Sequence, residues 1–262
     1  MSTARAAVAC LAAIVLAPAA LAAGPFDGTW KTRLDSVQSD SKPDVYALKD
    51  GIFRCGNCAP PFSVKADGTD QKVSGNGYYD TVAVKIVDPH TLQITDKLAG
   101  KPMYEMRLAV SADGKTLNEL IKDLSGAQAA TWYQVASRVA PGAAGSHAVA
   151  GAWRLRKVPG ASEVGTVITY RMTADGLQMR YNGATYDARF DGKPVLIASD
   201  PGRTSVALKR ISEREIEETD TRGGAVTDVI GLTVSADGRT LSVVDRNRGS
   251  GQTLSWIMDK LP

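Results

Sequence analysis

The chain has 262 residues, of which 44% are hydrophobic and 23% are charged. This composition excludes a disordered or fibrous protein and suffices for one large domain or two smaller ones. The formal net charge is only +3, from 31 basic and 28 acidic residues, and no basic block occurs along the chain. The charge therefore argues against a nucleic-acid-binding protein and against a membrane-surface protein.

The first 22 residues have the pattern of a signal peptide. Arg5 provides the positive start, an apolar stretch covers about residues 6–16, and residues 20–22 form a small-x-small cleavage motif. We predict cleavage between Ala22 and Ala23, and an uncleaved membrane anchor is the alternative. The mature protein is then expected to be exported, periplasmic or extracellular, with no stable membrane span.

The rest of the chain contains an internal duplication. Residues 110–117 read Val-Ser-Ala-Asp-Gly-Lys-Thr-Leu, and residues 234–241 repeat them with Arg in place of Lys, at an offset of 124. The same offset relates other pairs along the chain, such as Tyr46 with Tyr170. We predict two domains, at 24–139 and 148–262, joined by a linker at 140–147 that is rich in small residues and chain breakers.

Each copy is predicted to be all-β. Val82 and Val84 alternate with Ala83 and Lys85, and such period-two patterns are typical of half-buried strands. Seven Asp-Gly dipeptides occur, mostly between such runs, and this dipeptide favours tight hairpins. About eight short runs in each copy predict a small antiparallel meander, either a barrel or a sandwich.

Short motifs support the barrel. The opening residues 26–31, Phe-Asp-Gly-Thr-Trp-Lys, resemble the Gly-x-Trp start of the lipocalin and fatty-acid-binding (calycin) barrels. The whole chain resembles a family of uncharacterised exported bacterial proteins built from one or two lipocalin-like barrels. That resemblance is carried by the Gly-x-Trp starts, by residues 66–70, 77–82 and 216–220, and by the repeated hairpins. It implies a tandem barrel fold and export, and it implies no catalytic residue and no cofactor.

Cys55 and Cys58 are expected to form a disulfide, because two nearby cysteines in an exported chain normally oxidise. A redox-active pair and a metal site are the alternatives. The second copy has Met179 and Asn182 at the equivalent positions, so the scaffold forms without this bridge. The pair is therefore interpreted as a local clamp on one turn.

No catalytic constellation is evident. The chain has two histidines, His90 and His147, which cannot supply a zinc site or a catalytic triad with any specificity. A run of carboxylates comprises Glu213, Glu215, Glu217, Glu218 and Asp220, and a general acid/base or calcium cluster is one interpretation. Strand alternation puts Glu213, Glu215 and Glu217 on one side, which we interpret instead as a solvated face. We therefore predict no catalytic residue, no metal and no cofactor.

Aromatic residues are the remaining candidates for ligand contacts, with core packing as the alternative role. Each copy has one tryptophan in its first strand and one in its last, and these strands are neighbours in a closed barrel. Two adjacent tyrosines lie in a loop that has no aromatic equivalent in the second copy. The candidate ligand-binding residues are Trp30, Tyr78, Tyr79, Trp132, Trp153 and Trp256.

Three functions follow from these patterns. The first is a non-enzymatic barrel protein that acts as a structural or interaction unit of the cell envelope, with an envelope protein as partner. The second is a carrier that holds a small apolar or amphipathic ligand inside a barrel. The third is thiol-disulfide chemistry at Cys55 and Cys58.

Overall fold

The structure is a computed structural model, and it describes residues 24–40 and 42–262. The predicted signal peptide and its cleavage residues, Ala22 and Ala23, lie outside the described residues. Within the described part of the chain, no helix is long and apolar enough to cross a membrane.

The described chain is all-β, as predicted. Its helical segments are a 3-10 turn at Leu34–Ser36 and a one-turn helix, α1, at Glu163–Thr166. The strands of the first half are β1 (Gly28–Thr32), β2 (Gln38–Ser39), β3 (Asp44–Lys49), β4 (Ile52–Cys55), β5 (Phe62–Lys65), β6 (Gln71–Lys72), β7 (Thr81–Asp88), β8 (Thr91–Leu98), β9 (Lys101–Val110), β10 (Thr116–Asp123) and β11 (Ala130–Pro141). Those of the second half are β12 (Gly151–Ala161), β13 (Val167–Met172), β14 (Gly176–Tyr181), β15 (Ala184–Arg189), β16 (Val195–Leu196), β17 (Ser205–Ser212), β18 (Glu215–Arg222), β19 (Ala225–Val234), β20 (Thr240–Asn247) and β21 (Thr253–Lys260).

These strands form two nearly closed antiparallel sheets, which we call the first and second barrels. The first barrel has the strand order β5-β4-β3-β12-β11-β10-β9-β8-β7-β6. The second has the order β15-β14-β13-β1-β21-β20-β19-β18-β17-β16, and β2 pairs with β21 beside this path. The described sheets therefore contain 10 and 11 strands instead of the predicted eight or so. Three of these strands, β2, β6 and β16, are only two residues long.

The two halves of the chain exchange their first strands. β1, which begins the first repeat, lies in the second barrel between β13 and β21. β12, which begins the second repeat, lies in the first barrel between β11 and β3. The boundaries 24–139 and 148–262 thus delimit the sequence repeats, whereas the sheets are divided differently.

The predicted linker at 140–147 takes part in this arrangement. Its first two residues are still paired in the first barrel, Ala140 with Ala152 and Pro141 with Gly151. The backbone amide of His147 donates to the carbonyl of Leu48, 2.9 Å away. The segment is therefore the connection of a hairpin inside one sheet, packed against that sheet.

Each barrel is closed by a few local contacts between its end strands. In the second barrel, Thr185 and Ala198 exchange two backbone hydrogen bonds of 3.1 and 2.8 Å. In the first barrel, the Nε2 atom of Gln71 donates to the backbone carbonyl of Lys65 at 2.7 Å, and the backbone amide of Lys65 donates to Oε1 of Gln71 at 2.8 Å. A side chain thus joins the end strands of the first barrel, and an isolated backbone bridge between Asp67 and Lys85 of β7 adds to the closure.

The exchanged strands carry the tryptophans that anchor each core. Trp30 and Trp153 are fully buried, and each indole donates to a backbone carbonyl four residues earlier, at 2.9 and 2.8 Å. A basic side chain covers each ring: Lys260 lies 5.2 Å from the centroid of Trp30, and Arg138 lies 4.0 Å from that of Trp153. Because of the exchange, Trp30 lies in the same sheet as Trp256 and Trp153 lies in the same sheet as Trp132.

The repeated hairpins adopt one local structure in both halves. Ser111 donates to Asp113 and Ser235 donates to Asp237, both at 2.6 Å. Gly114 follows Asp113 with a φ of 72°, a conformation that glycine adopts without steric cost. The sequence repeat is therefore also a structural repeat.

The strand exchange can be tested with engineered disulfides. Thr29 of β1 lies directly opposite Thr169 of β13, with their hydroxyl oxygens 3.1 Å apart. Directly opposed residues of antiparallel strands have the Cα spacing that a disulfide needs. We expect the T29C/T169C variant to form a new disulfide, measured as a loss of two hydrogens by intact-mass spectrometry.

The control uses the position that an unexchanged β1 would face. Ala152, the repeat equivalent of Thr29, lies opposite Val45 of β3. A T29C/V45C variant is therefore expected to keep two free thiols. Bridging in T29C/V45C, with free thiols in T29C/T169C, would contradict the exchanged topology.

Candidate functional site

The core of the first barrel is filled by a row of aromatic rings. The ring centroids of Tyr46 and Phe53 are 5.9 Å apart, those of Phe53 and Phe62 are 6.2 Å apart, and those of Phe62 and Tyr79 are 6.5 Å apart. Such spacings are favourable for aromatic pairs. The row occupies the interior of this barrel.

The second barrel has smaller residues at two equivalent positions. At the offset of 124, Leu177 replaces Phe53 and Ala188 replaces Val64. The strand register is the same in both barrels here, since Phe53 pairs with Leu48 and Leu177 pairs with Met172. Other interior positions are larger in the second barrel, such as Leu208 in place of Val84 and Met179 in place of Cys55. The two cores are therefore packed differently on the same scaffold.

A cavity of about 350 Å³ lies in the second barrel, and we call it the aromatic cavity. Its walls are mainly apolar and aromatic, and they include side chains of both barrels and of the segment after β1. The volume is at the lower end of the range for small-molecule sites. Its lining residues are Thr32, Leu34, Val37, Trp132, Gln134, Val158, Gly165, Thr166, Val167, Ile168, Tyr170, Met179, Tyr181, Glu218, Ile230, Leu232, Val243, Trp256 and Met258.

Glu218 is the carboxylate in this wall. Its residue is only 7% exposed, and Tyr186 donates a 2.6 Å hydrogen bond to its Oε2 atom. Burial raises the pKa of Glu218 well above its usual value, the tyrosine bond opposes this rise, and the nearby charge of Asp245 adds to it. The carboxyl group thus lies in a poorly solvated place beside an apolar space.

Further carboxylates line the neighbouring strands. Asp220 lies directly opposite Asp228, which accepts a 2.7 Å hydrogen bond from Asn247. The Oδ1 atoms of Asp220 and Asp245 are buried without a hydrogen-bond partner. Burial raises the pKa of both groups, that of Asp245 to about 6, and the nearby charge of Asp228 adds to both rises. The interior of the second barrel therefore gathers carboxyl groups that become negatively charged only when the pH rises above their raised pKa values.

The structure places the predicted solvated face of this strand where the alternation put it, and the other two carboxylates lie on the opposite face. Glu213, Glu215 and Glu217 are exposed, as expected, but Glu218 is buried and Asp220 points to the same interior side. The signal was present in the sequence, because the period of two puts both on the face of the fully buried Ile216. The polar side chains of Glu218 and Asp220 by themselves give no indication that these positions face the interior.

The first barrel also contains buried carboxylates, at partly different positions. Asp96 is the repeat equivalent of Asp220, and burial raises its pKa to about 7. Glu119 is 8% exposed, and its Oε1 atom has no hydrogen-bond partner. Burial, and to a smaller extent the charge of Asp44, raises its pKa to about 8. Neither residue lines the aromatic cavity.

The predicted ligand-binding aromatics are divided among different places. Trp132 and Trp256 line the aromatic cavity, where the former reaches in from the first barrel. Trp30, Trp153 and Tyr79 are buried in the cores.

Tyr78 lines a separate depression of about 180 Å³ that Asp220 also borders. Its ring lies 4.4 Å from the guanidinium of Arg222, which donates to the hydroxyl of Thr204 at 3.2 Å. These contacts tie loops of the two halves together, and ligand contact by any of the six aromatics stays a prediction.

A wider cleft of about 770 Å³ lies between loops of the two halves. Much of its wall consists of glycine, proline and alanine, which offer few side-chain groups for a ligand. Its lining residues are Ala59, Pro60, Pro61, Gly75, Asn76, Gly77, Pro201, Gly202, Arg203, Arg222, Gly223, Ala225, Val226, Thr227, Asn247 and Gly249. The smaller aromatic cavity is the more selective candidate site.

Cys55 and Cys58 form the expected disulfide, with an S–S distance of 1.98 Å. Cys55 is 3% exposed and belongs to the core of the first barrel. Within residues 24–40 and 42–262, no three histidine, cysteine or acidic side chains are grouped so that they could hold a metal ion. The pair accordingly has the surroundings of a structural clamp.

Comparison with known proteins gives no relative for this chain. No family model matches it, and neither does any curated protein or solved structure. The barrels and the cavity are therefore interpreted from their own chemistry.

The raised pKa of Glu119 makes stability depend on pH. A carboxyl that binds its proton more tightly in the folded than in the unfolded chain contributes stability below its unfolded pKa, and this is lost as the pH rises to the folded value. The loss is about 1.4 kcal/mol per pH unit for each retained proton. Between about pH 5 and pH 7.5, we expect the free energy of unfolding of the wild-type protein to fall more steeply than that of Glu119→Gln, by about 1.4 kcal/mol per pH unit.

The measurement is urea unfolding of both proteins across that pH range. The slope is the informative quantity, because a packing change shifts stability equally at every pH. Asp96, Glu218 and Asp220 still titrate in the variant, so a part of the slope is expected to remain. An identical slope in both proteins would show that Glu119 ionises normally.

Proposed function

We propose that this chain is an exported, lipocalin-like binding protein that holds a small apolar or amphipathic ligand in the aromatic cavity of its second barrel. The observation that carries the proposal is the cavity itself. The two barrels share one scaffold; aromatic rings pack in a row inside the first, and the second has a space bordered by Trp132 and Trp256.

The position of the cavity also supports a binding role. Most of its wall belongs to regular strands, which hold side chains more precisely than loops do. Trp132 and Val158 of the first barrel complete the wall, so the site depends on both halves. Sites at the junction of structural units are common for small ligands.

Export is supported by two independent features. The leader pattern at residues 1–22 predicts secretion. The Cys55–Cys58 disulfide is the oxidation state that thiols reach in an oxidising compartment. Burial of Cys55 favours a structural role for the bridge over thiol-disulfide exchange, which needs an accessible sulfur.

A neutral apolar fluorophore, N-phenyl-1-naphthylamine, tests the proposal. We expect one equivalent to bind per chain, with increased probe fluorescence and quenching of the nearby tryptophans. Val243 is 3% exposed and lines the cavity, so Val243→Phe places a ring in the space that the probe needs. This variant is expected to weaken binding by about tenfold or more.

Val226→Phe is the matched control. Val226 is 46% exposed and lines the wider cleft, so the same substitution there leaves the aromatic cavity open. Thermal unfolding verifies that both variants fold. Binding that is lost in Val226→Phe and kept in Val243→Phe would move the site to the cleft. An absence of probe binding would instead favour an envelope structural or interaction unit that acts through its surface.

A further inference from the structure

Glu218 is surrounded by groups that do not neutralise it. Among the described residues that line the aromatic cavity, none is a lysine, arginine or histidine. The ion pairs found within the described chain do not include Glu218. Among the hydrogen bonds of the described residues, Glu218 accepts one from Tyr186 at Oε2.

The titratable groups that face this carboxyl are acidic or neutral. Tyr186 and Tyr170 approach it from β15 and β13, and Asp245 approaches from β20. Asp220 is on its own strand, two residues further along. The charge of Arg222 opposes the rise in the pKa of Asp220, and its guanidinium lies over the ring of Tyr78. Arg222 is not among the residues that line the aromatic cavity. The surroundings therefore repel anions and attract cations.

The first barrel shows that the fold does not need this polar pair. At the offset of 124, Phe62 occupies the place of Tyr186 and Ile94 occupies that of Glu218. The register is the same in both barrels, because Ile94 lies opposite Val84 and Met106, and Glu218 lies opposite Leu208 and Ile230.

Ile94 is 4% exposed, so the equivalent site is an ordinary apolar core position. Burying a carboxyl group there costs free energy that an isoleucine does not. The fold itself therefore does not require a tyrosine and a glutamate at these two positions.

We propose that the aromatic cavity binds a small organic cation, an ammonium group on an apolar or aromatic skeleton, with Glu218 as its counter-ion. This inference rests on the proposed function, since it specifies the ligand of the same cavity. The carboxylate pairs with the ammonium, and Tyr186 holds the carboxylate in place through Oε2.

The aromatic walls suit the rest of such a ligand. Trp132, Trp256, Tyr170 and Tyr181 border the cavity, and the faces of tryptophan and tyrosine rings attract ammonium groups. The aliphatic side chains of Ile230 and Leu232 provide contacts for an apolar skeleton. A neutral ligand of the same shape would leave Glu218 unpaired, which is the basis for discrimination.

The test compares two ligands of the same size, 4-phenylbutylammonium and the neutral 4-phenylbutan-1-ol. Both compete with N-phenyl-1-naphthylamine for the wild-type protein at about pH 8, where ionisation of Glu218 is favoured. We expect the ammonium to compete at least about tenfold more tightly than the alcohol. At about pH 5 the protonated carboxyl loses this preference.

Glu218→Gln removes the charge and keeps the shape. The expected result is an ammonium-to-alcohol affinity ratio close to one. Glu119→Gln is the matched control, because it removes a buried glutamate from the barrel without the aromatic cavity, and it is expected to keep the wild-type ratio. A preference for ammonium that persists in Glu218→Gln would overturn the assignment of the counter-ion.

Wild-type protein provides a second measurement that does not depend on the folding of a variant. Binding of the ammonium ionises Glu218, so calorimetry near neutral pH in buffers of different ionisation enthalpy is expected to detect a released proton that alcohol binding does not release. Equal competition by the two ligands without proton release would overturn the cation proposal and leave the carrier function intact. Failure of the fluorophore and of both ligands to bind would overturn the carrier function as well.

Discussion

The exchange of first strands is the constraint on which the rest of the structure depends. If β12 were absent, an open position would separate β11 from β3 in the first barrel. If β1 were absent, the same would separate β13 from β21 in the second barrel. Each exchanged strand also delivers the tryptophan that fills the core of its host barrel. The two barrels are therefore completed by each other, and the same linkage brings Trp132 of the first barrel to the cavity of the second.

Buried carboxylates oppose this stabilisation. Removing an ionised carboxyl from water is costly, and the groups at Asp96, Glu119, Glu218 and Asp220 respond by retaining their protons to higher pH. Only Glu218 combines deep burial with a position on the wall of the aromatic cavity. The energetic cost is general to both barrels, whereas the position on the cavity wall is particular to Glu218 among these four groups.

Much of the fold follows from the sequence, because alternation and turn chemistry are local. The period of two around Val82 and the Ser-x-Asp-Gly hairpins define strands and turns in both halves. The strand exchange does not follow, since β1 and β12 carry the same Gly-x-Trp motif and either could fill either position. The burial of Glu218 follows from its register: its polarity is typical of a solvated position, but it shares a strand face with Ile216, which is fully buried. Register is the stronger signal, because a strand cannot turn one side chain outward without turning its neighbours.

Duplication gives one chain two copies of a barrel whose interiors can differ. A single barrel that exchanges aromatic volume for a cavity loses packing contacts throughout its only core. Here the first barrel keeps the row from Tyr46 to Tyr79, and its β12 strand and Trp132 extend that well-packed unit to the second. The second barrel has Leu177 and Ala188 where the first has Phe53 and Val64, and it places the carboxyl group of Glu218 on the wall of the aromatic cavity. The two copies of one scaffold therefore differ in their interior chemistry.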